Sequence, residues 1–190
     1  MIVEPLKLPE VLKLTPRRFR DDRGYFSETY NKRTFGEAVG PFDFVQDNQS
    51  YSAQKHTLRG LHFQAPPFAQ AKLVRVLQGR IFDVAVDVRA GSPRYGQWDG
   101  AELSAEDGEQ LFVPEGFLHG FLTLEPDTVV AYKVNAHYDK QSEGSVLWSD
   151  KDIGIEWGAP ADTVMLSEKD ADAAPFRSFD TPFVYKKQPA

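Results

Sequence analysis

Apolar and polar residues alternate along much of the chain. Residues 81–88 read Ile-Phe-Asp-Val-Ala-Val-Asp-Val. That spacing puts Phe82, Val84, Val86 and Val88 on one face of a strand and Asp83 and Asp87 on the other. Leu73 to Leu77 reads as a strand stopped by Gly79, and Gln110 to Val113 as one ended by Pro114-Glu115-Gly116. Thr128 to Val134 reads as another, with Val130, Tyr132 and Val134 on one face. Short strands with a turn signal roughly every ten residues predict an all-β sandwich or barrel. Helical spacing is scarce. Asn31 to Ala38 predicts one short helix, and Ser167 to Ala174 a second with Ser167 as its N-cap. The tail from Pro175 to Ala190 carries Phe176, Phe179, Phe183 and Tyr185, which need cover, so it is expected to pack along the body. There is no repeat and no long linker, and the whole span 1–190 reads as a single domain.

Composition narrows the function classes. The 190 residues carry 22 Lys+Arg against 28 Asp+Glu, a net charge of −6, which argues against a phosphate-coating nucleic-acid binder. There is no cysteine. Disulfides, thiol nucleophiles, thiolate metal sites and iron–sulfur clusters are therefore excluded together. No apolar run reaches the ~20 residues of a membrane span. Met1-Ile2-Val3-Glu4-Pro5 has no basic stretch leading into an apolar core, so no secretion signal and a cytoplasmic location are expected. Aromatic residues make up 13% of the chain, in keeping with a packed β core.

The stretch Gly108-x5-Pro114-x-Gly116-x2-His119 resembles the second sequence motif of the cupin superfamily, which implies a jelly-roll β-barrel. The first cupin motif, laid from Gly60 to Gly79, puts Pro66 and Phe68 at its two histidine positions and Lys72 at its glutamate. Only His119 is left of four metal ligands. A divalent cation held tightly needs three or more protein donors, and an ammonium at a ligand position repels it. The expectation is a cupin scaffold with no metal and no other cofactor.

A longer series of strings is more specific: D-R-G-Y-F-S-E from Asp22, F-V-Q-D-N-Q-S from Phe44, L-R-G-L-H-F-Q from Leu58, A-Q-A-K-L-V from Ala69, F-V-P-E-G-F-L-H-G-F from Phe112, A-Y-K-V-N-A-H-Y from Ala131 and L-S-E-K-D from Leu166. In this order, over about Leu14 to Phe183, the chain resembles the dTDP-4-dehydrorhamnose 3,5-epimerase family. The resemblance implies a dTDP-sugar substrate with a ketone at sugar carbon 4, whose protons at carbons 3 and 5 are acidic enough to remove as an enolate. Such chemistry needs a base, a cation over the ketone oxygen and an acid on the opposite face. The family pattern implies His62 as the base, Asp170 as its carboxylate partner, Lys72 beside the enolate oxygen and Tyr132 as the acid. It assigns Arg23, Arg59, His119 and Lys169 to the nucleotide and diphosphate. Glu28, Gln46, Asp47, Asn48 and Glu143 complete that side, and Tyr138 stacks on the thymine. It also implies a homodimer whose N-terminal strands exchange.

Taken without the family, several of these residues have ordinary readings. A strand tyrosine such as Tyr132 usually fills core, Asp170 suits a helix N-terminus, and Glu168-Lys169-Asp170 suits a solvated surface. His56 and His137 have no motif behind them and are read as structural, and Asp83 and Asp87 as structural or solvated. Gly144 stands where the family commonly has a basic residue, which implies one nucleotide contact fewer or a branch with altered substrate. The alternatives are an epimerase of carbon 3 or carbon 5 alone, a silent cupin that binds a nucleotide sugar, and a metal-dependent cupin oxygenase, which the replaced ligands disfavour.

Overall fold

The computed structural model describes residues 1–186; the last part of the expected tail, residues 187–190, lies outside the described residues. The chain opens with β1 (Ile2–Pro5), β2 (Leu12–Thr15), β3 (Arg18–Asp21), β4 (Gly24–Ser27) and the helix α1 (Lys32–Ala38). Next come β5 (Gln46–Ser52), β6 (Leu58–Gln64), β7 (Lys72–Gln78), β8 (Arg80–Asp87) and β9 (Trp98–Ser104). Last are β10 (Gln110–Val113), β11 (Phe117–Thr123), β12 (Thr128–Val134), β13 (Glu143–Ser145) and a one-turn helix α2 (Glu168–Ala171). The expected strands at 73–77, 81–88, 110–113 and 128–134 all form. Asn31 and Ser167 cap the two helices by accepting from the backbone N–H groups of Arg33 and Thr34, and of Asp170.

One sheet runs β1-β2-β10-β7-β12-β5 and the other β13-β6-β11-β8-β9, while β3 and β4 pair only with each other. The pairings within both large sheets are antiparallel. The sheets face one another as a cupin-like jelly roll. Val74, Val76 and Val130 from the first sheet meet Ile81, Ala85, Phe117 and Phe121 from the second in one buried cluster.

A second apolar layer covers the outer face of the five-stranded sheet. Val84, Val86, Val88, Leu118 and Leu122 pack there against Trp148, Ile153, Trp157 and Phe183. The tail behaves as expected, since Phe179 and Phe183 lie edge-on to Phe63 at 5.2 and 5.9 Å. This cover corrects the reading of β8. Its supposed polar face is the barrel interior, and Asp83 and Asp87 are fully buried, not solvated. Alternation marks one packed and one wet face only when the polar side is left open, and here both sides are covered. Asp87 is satisfied by Arg89 and Ser92, and Arg89 also reaches Glu10. Among the described residues no helix is long and apolar enough to cross a membrane.

Candidate active site

The barrel interior changes character along its length. Past the valines of β7 and β12 it opens into a cleft of about 470 Å³ lined by Arg59, His62, Lys72, His119, Tyr132, Glu143, Lys169 and Asp170, among others. A smaller extension of about 150 Å³ adds Gln46, Asn48, Gln64, Gln70 and Tyr138. Period-2 alternation brings Lys72 of β7 and Tyr132 of β12 inward from one sheet, and His119 of β11 inward from the other.

Strand β6 needs one irregularity. Arg59 and His62 are three positions apart, and a regular strand would turn them to opposite faces. The ladder shows otherwise: His62 pairs with His119 and Arg59 with Phe121, so three steps on β6 span two on β11. That is a β-bulge, and it turns both side chains inward. Gly60 occupies it at φ +137°, and a Cβ there would stand 2.5 Å from the Gly120 Cα. Only glycine fits both the conformation and the space.

His62 Nε2 lies 2.5 Å from Asp170 Oδ1. With Nε2–H donating to that carboxylate, Nδ1 carries the lone pair, and it has no protein partner among the described residues. Asp170 is itself 3% exposed. Burial works against its ionisation, but the His62 contact, the Ser167 hydroxyl and the Gly60 N–H hold its carboxyl below the ordinary range. The imidazole is thus oriented by a carboxylate that stays charged.

On the facing sheet, Lys72 sits with its Nζ 6.0 Å from the centroid of the Tyr132 ring. Burial pushes the Lys72 ammonium down to about 8, against the pull of Asp83 and Glu143. At neutral pH it remains mostly charged. Burial raises the Tyr132 phenol above 10.0, so it stays protonated and able to donate. His119 is 6% exposed and both its ring nitrogens are engaged: Nε2 is 2.7 Å from Asp83 Oδ1, and Nδ1 is 3.5 Å from Lys72 Nζ. It lines the cleft, but neither nitrogen is turned to a ligand.

At the cleft's outer end, Lys169 Nζ is 2.5 Å from Glu143 Oε1. The Tyr138 hydroxyl donates to Glu143 Oε2 at 3.2 Å, and its ring is 55% exposed at the mouth. Gln46 and Asn48 are hydrogen-bonded to each other at 2.8 Å. Arg59 donates to the Tyr51 carbonyl at 3.0 Å.

Three expected residues are not brought to the cleft within this chain. Arg23 sits exposed in the β3–β4 hairpin, paired with Asp21. Glu28 lines a separate cavity of about 220 Å³ beside Met1, Arg17 and Tyr30. Asp47 points to the other side of β5 and meets Lys133 at 2.9 Å. Conversely, Ser50 lines the cleft and was missed. Ser50 had a signal, since Gln46, Asn48, Ser50 and Ser52 recur at every second position and so share a face.

Gly144 also reads differently in place. It pairs with Phe63 across β13 and β6, and an added Cβ would run into the Phe63 ring. Glu143 lines the cleft, so by strand alternation a side chain at 144 points to the opposite face of β13. The glycine answers a packing demand against Phe63.

Comparison with known proteins agrees with this arrangement. The family model for dTDP-4-dehydrorhamnose 3,5-epimerase matches residues 5–178. The dTDP-4-dehydrorhamnose 3,5-epimerase of Sinorhizobium fredii is 50% identical over 187 residues, 98% of this chain and 95% of that one. That of Salmonella typhimurium is 53% identical over 174 residues, 91% and 94% of the two chains. A solved 3,5-epimerase from Legionella pneumophila, in complex with dTDP-4-keto-L-rhamnose, superposes with a TM-score of 0.92 at 40% identity, covering 97% of this chain and 98% of that one. With the barrel, the His62–Asp170 pair and a match along nearly its whole length, the chain belongs to the dTDP-4-dehydrorhamnose 3,5-epimerase family of isomerases.

Proposed function

We propose that the chain epimerises dTDP-4-dehydro-6-deoxy-D-glucose at sugar carbons 3 and 5, giving dTDP-4-dehydro-L-rhamnose. One observation carries the reading. A carboxylate-oriented imidazole on one sheet faces a protonated phenol on the other, with a buried ammonium beside the phenol. His62 removes the proton α to the carbon-4 ketone, and the electron pair moves onto the ketone oxygen. Lys72 stabilises the enolate oxygen as its charge grows. Tyr132 delivers a proton to the opposite face of the carbon, which inverts it. No redox step occurs, so no oxidant or reductant is consumed.

Around this centre, Arg59, Gln46, Asn48, Glu143 and Lys169 take the nucleotide diphosphate, and the exposed ring of Tyr138 offers the thymine a stacking surface. We assign Arg23 and Glu28 to the cleft of a partner subunit in a homodimer. In support, the β3–β4 hairpin pairs with neither large sheet and leaves Phe19, Tyr25 and Phe26 exposed at 51%, 53% and 70%. The enzyme is expected to act in the cytoplasm.

Tyr132→Phe in deuterated water tests the core of this reading. The phenol is lost and the ring kept. His62 still exchanges protons on its own side, so recovered substrate should gain deuterium while little epimer forms. Nuclear magnetic resonance of the sugar reads exchange and configuration together, and shows whether one carbon or both are labelled. Inversion at close to the wild-type rate would remove Tyr132 from the mechanism.

A further inference from the structure

Asp83 is unused by the chemistry above, yet it lies fully buried in the barrel wall behind the cleft. One oxygen meets His119 Nε2 at 2.7 Å. The other, Oδ2, has no hydrogen-bond partner among the described residues. A carboxylate taken from water with half its acceptor capacity idle is costly unless a nearby positive charge offsets it. No arginine or lysine makes an ion pair with it among the described residues. His119 supplies no charge, because burial drives the imidazole towards its neutral form. A neutral ring that donates from Nε2 must accept at Nδ1, and the group 3.5 Å from Nδ1 is Lys72 Nζ. The three side chains thus form a line from carboxylate through imidazole to ammonium.

We propose that Asp83 is a positioning residue that keeps Lys72 charged, acting through His119. The inference rests on the assignment of Lys72 to the enolate oxygen for its value to the reaction, but not for its existence. Burial pulls the Lys72 ammonium towards neutrality. The charged groups around it oppose one another: Asp83 on β8 and Glu143 on β13 favour the charge, and Lys169 on α2 disfavours it. His62 and Arg59 on β6 and Tyr132 on β12 line the same cleft. Glu143 already pairs with Lys169, which leaves Asp83 as the one of the two not paired with a cation among the described residues. It is also out of reach of a substrate, since His119 stands between. An ammonium held this way keeps its proton when an anionic diphosphate leaves the cleft, so the empty enzyme is ready for the next ketone.

Asp83→Asn keeps the shape and an oxygen that can accept from His119, and removes only the charge. The Lys72 ammonium, followed in lysine-labelled protein and identified by its absence in Lys72→Met, should then titrate lower than in the wild type by about 1 pH unit. The alkaline limb of kcat for deuterium exchange should move down by the same amount, and dTDP affinity should hold. His119→Phe, which cuts the line in the middle, should move both in the same direction and serves if Asp83→Asn does not fold. An unmoved Lys72 titration in a folded variant overturns the proposal, as does a kcat lowered equally at all pH values with the titration unchanged. If the titration moves and the kcat limb does not, the proposal stands and the enolate role of Lys72 falls.

Discussion

Two histidine–aspartate pairs stand side by side in this barrel, and His62 and His119 even occupy paired positions on neighbouring strands. Their chemistry on paper is the same. Their surroundings differ. The His62 side chain is 28% exposed at the cleft wall and its second nitrogen is free of protein partners among the described residues, whereas that of His119 is 7% exposed with its second nitrogen against Lys72. Asp170 rests at a helix start with a hydroxyl and a backbone N–H to spare for it. Asp83 rests on a strand with one oxygen bare. An imidazole becomes a base only when its lone pair faces the substrate. The same pair turned inward becomes a support for something else.

The largest expected break of this symmetry comes from His62→Ala. Exchange of the α-protons in deuterated water should fall by about 10²–10⁴-fold, the usual worth of a positioned general base. Exchange near the wild-type rate in a folded variant would put the base elsewhere. Asp170→Asn should cost less, since the imidazole stays in place and loses only its charged partner; a larger loss than in His62→Ala would contradict the assignment.

Lys72→Met sharpens the contrast through stability. The lysine titrates near 8 in the folded chain against 10.5 unperturbed. Between those values the unfolded chain binds more protons than the folded one, so burying this ammonium weighs against folding at and below pH 8 and ceases to do so as pH rises towards 10.5. Lys72→Met should therefore raise the thermal midpoint at pH 7, with the gain shrinking at higher pH, while turnover collapses and dTDP binding by calorimetry changes little. A midpoint lowered at pH 7, or affinity lost in step with turnover, would count against a functional, desolvated ammonium.

The smallest effect concerns the outer layer. Gly144→Lys pushes a side chain against Phe63, which should destabilise the fold by about 1–3 kcal/mol, read by chemical denaturation. It should leave dTDP affinity unchanged, and tighter dTDP binding would show that position 144 does reach the nucleotide.

Much of this was legible in the sequence, and the reasons for the rest are physical. Alternation located β10 and β12 to the residue because each has a partner on both sides, with a single register shift of β12 against β7 at Val129/Val130. The second helix proved shorter than expected, ending at Ala171. Beyond it Ala174 accepts from Leu147 and Phe176 donates to Asp150, so tertiary bonds replace helical ones. Of the two readings of Asp83, the solvated one failed because a local pattern cannot say which face is covered when both are. The His62–Asp170 contact spans 108 positions, and only family resemblance could suggest it. Arg23, Glu28 and Asp47 carry a family signal that the geometry of one chain does not express.

Beside the bulge in β6, the Gly60 N–H adds to the groups that hold the Asp170 carboxyl in its charged form. Part of the support for the proposed base's partner is therefore main chain, with no side chain to mutate. Alanine scanning passes over such a contact, because every residue except proline brings the same amide. Replacing the glycine confuses the matter further, since any Cβ there strikes Gly120 and the result reports crowding. Only a chemical edit of the backbone, an amide-to-ester exchange at position 60 made by semisynthesis, would isolate what this one proton contributes to the dyad.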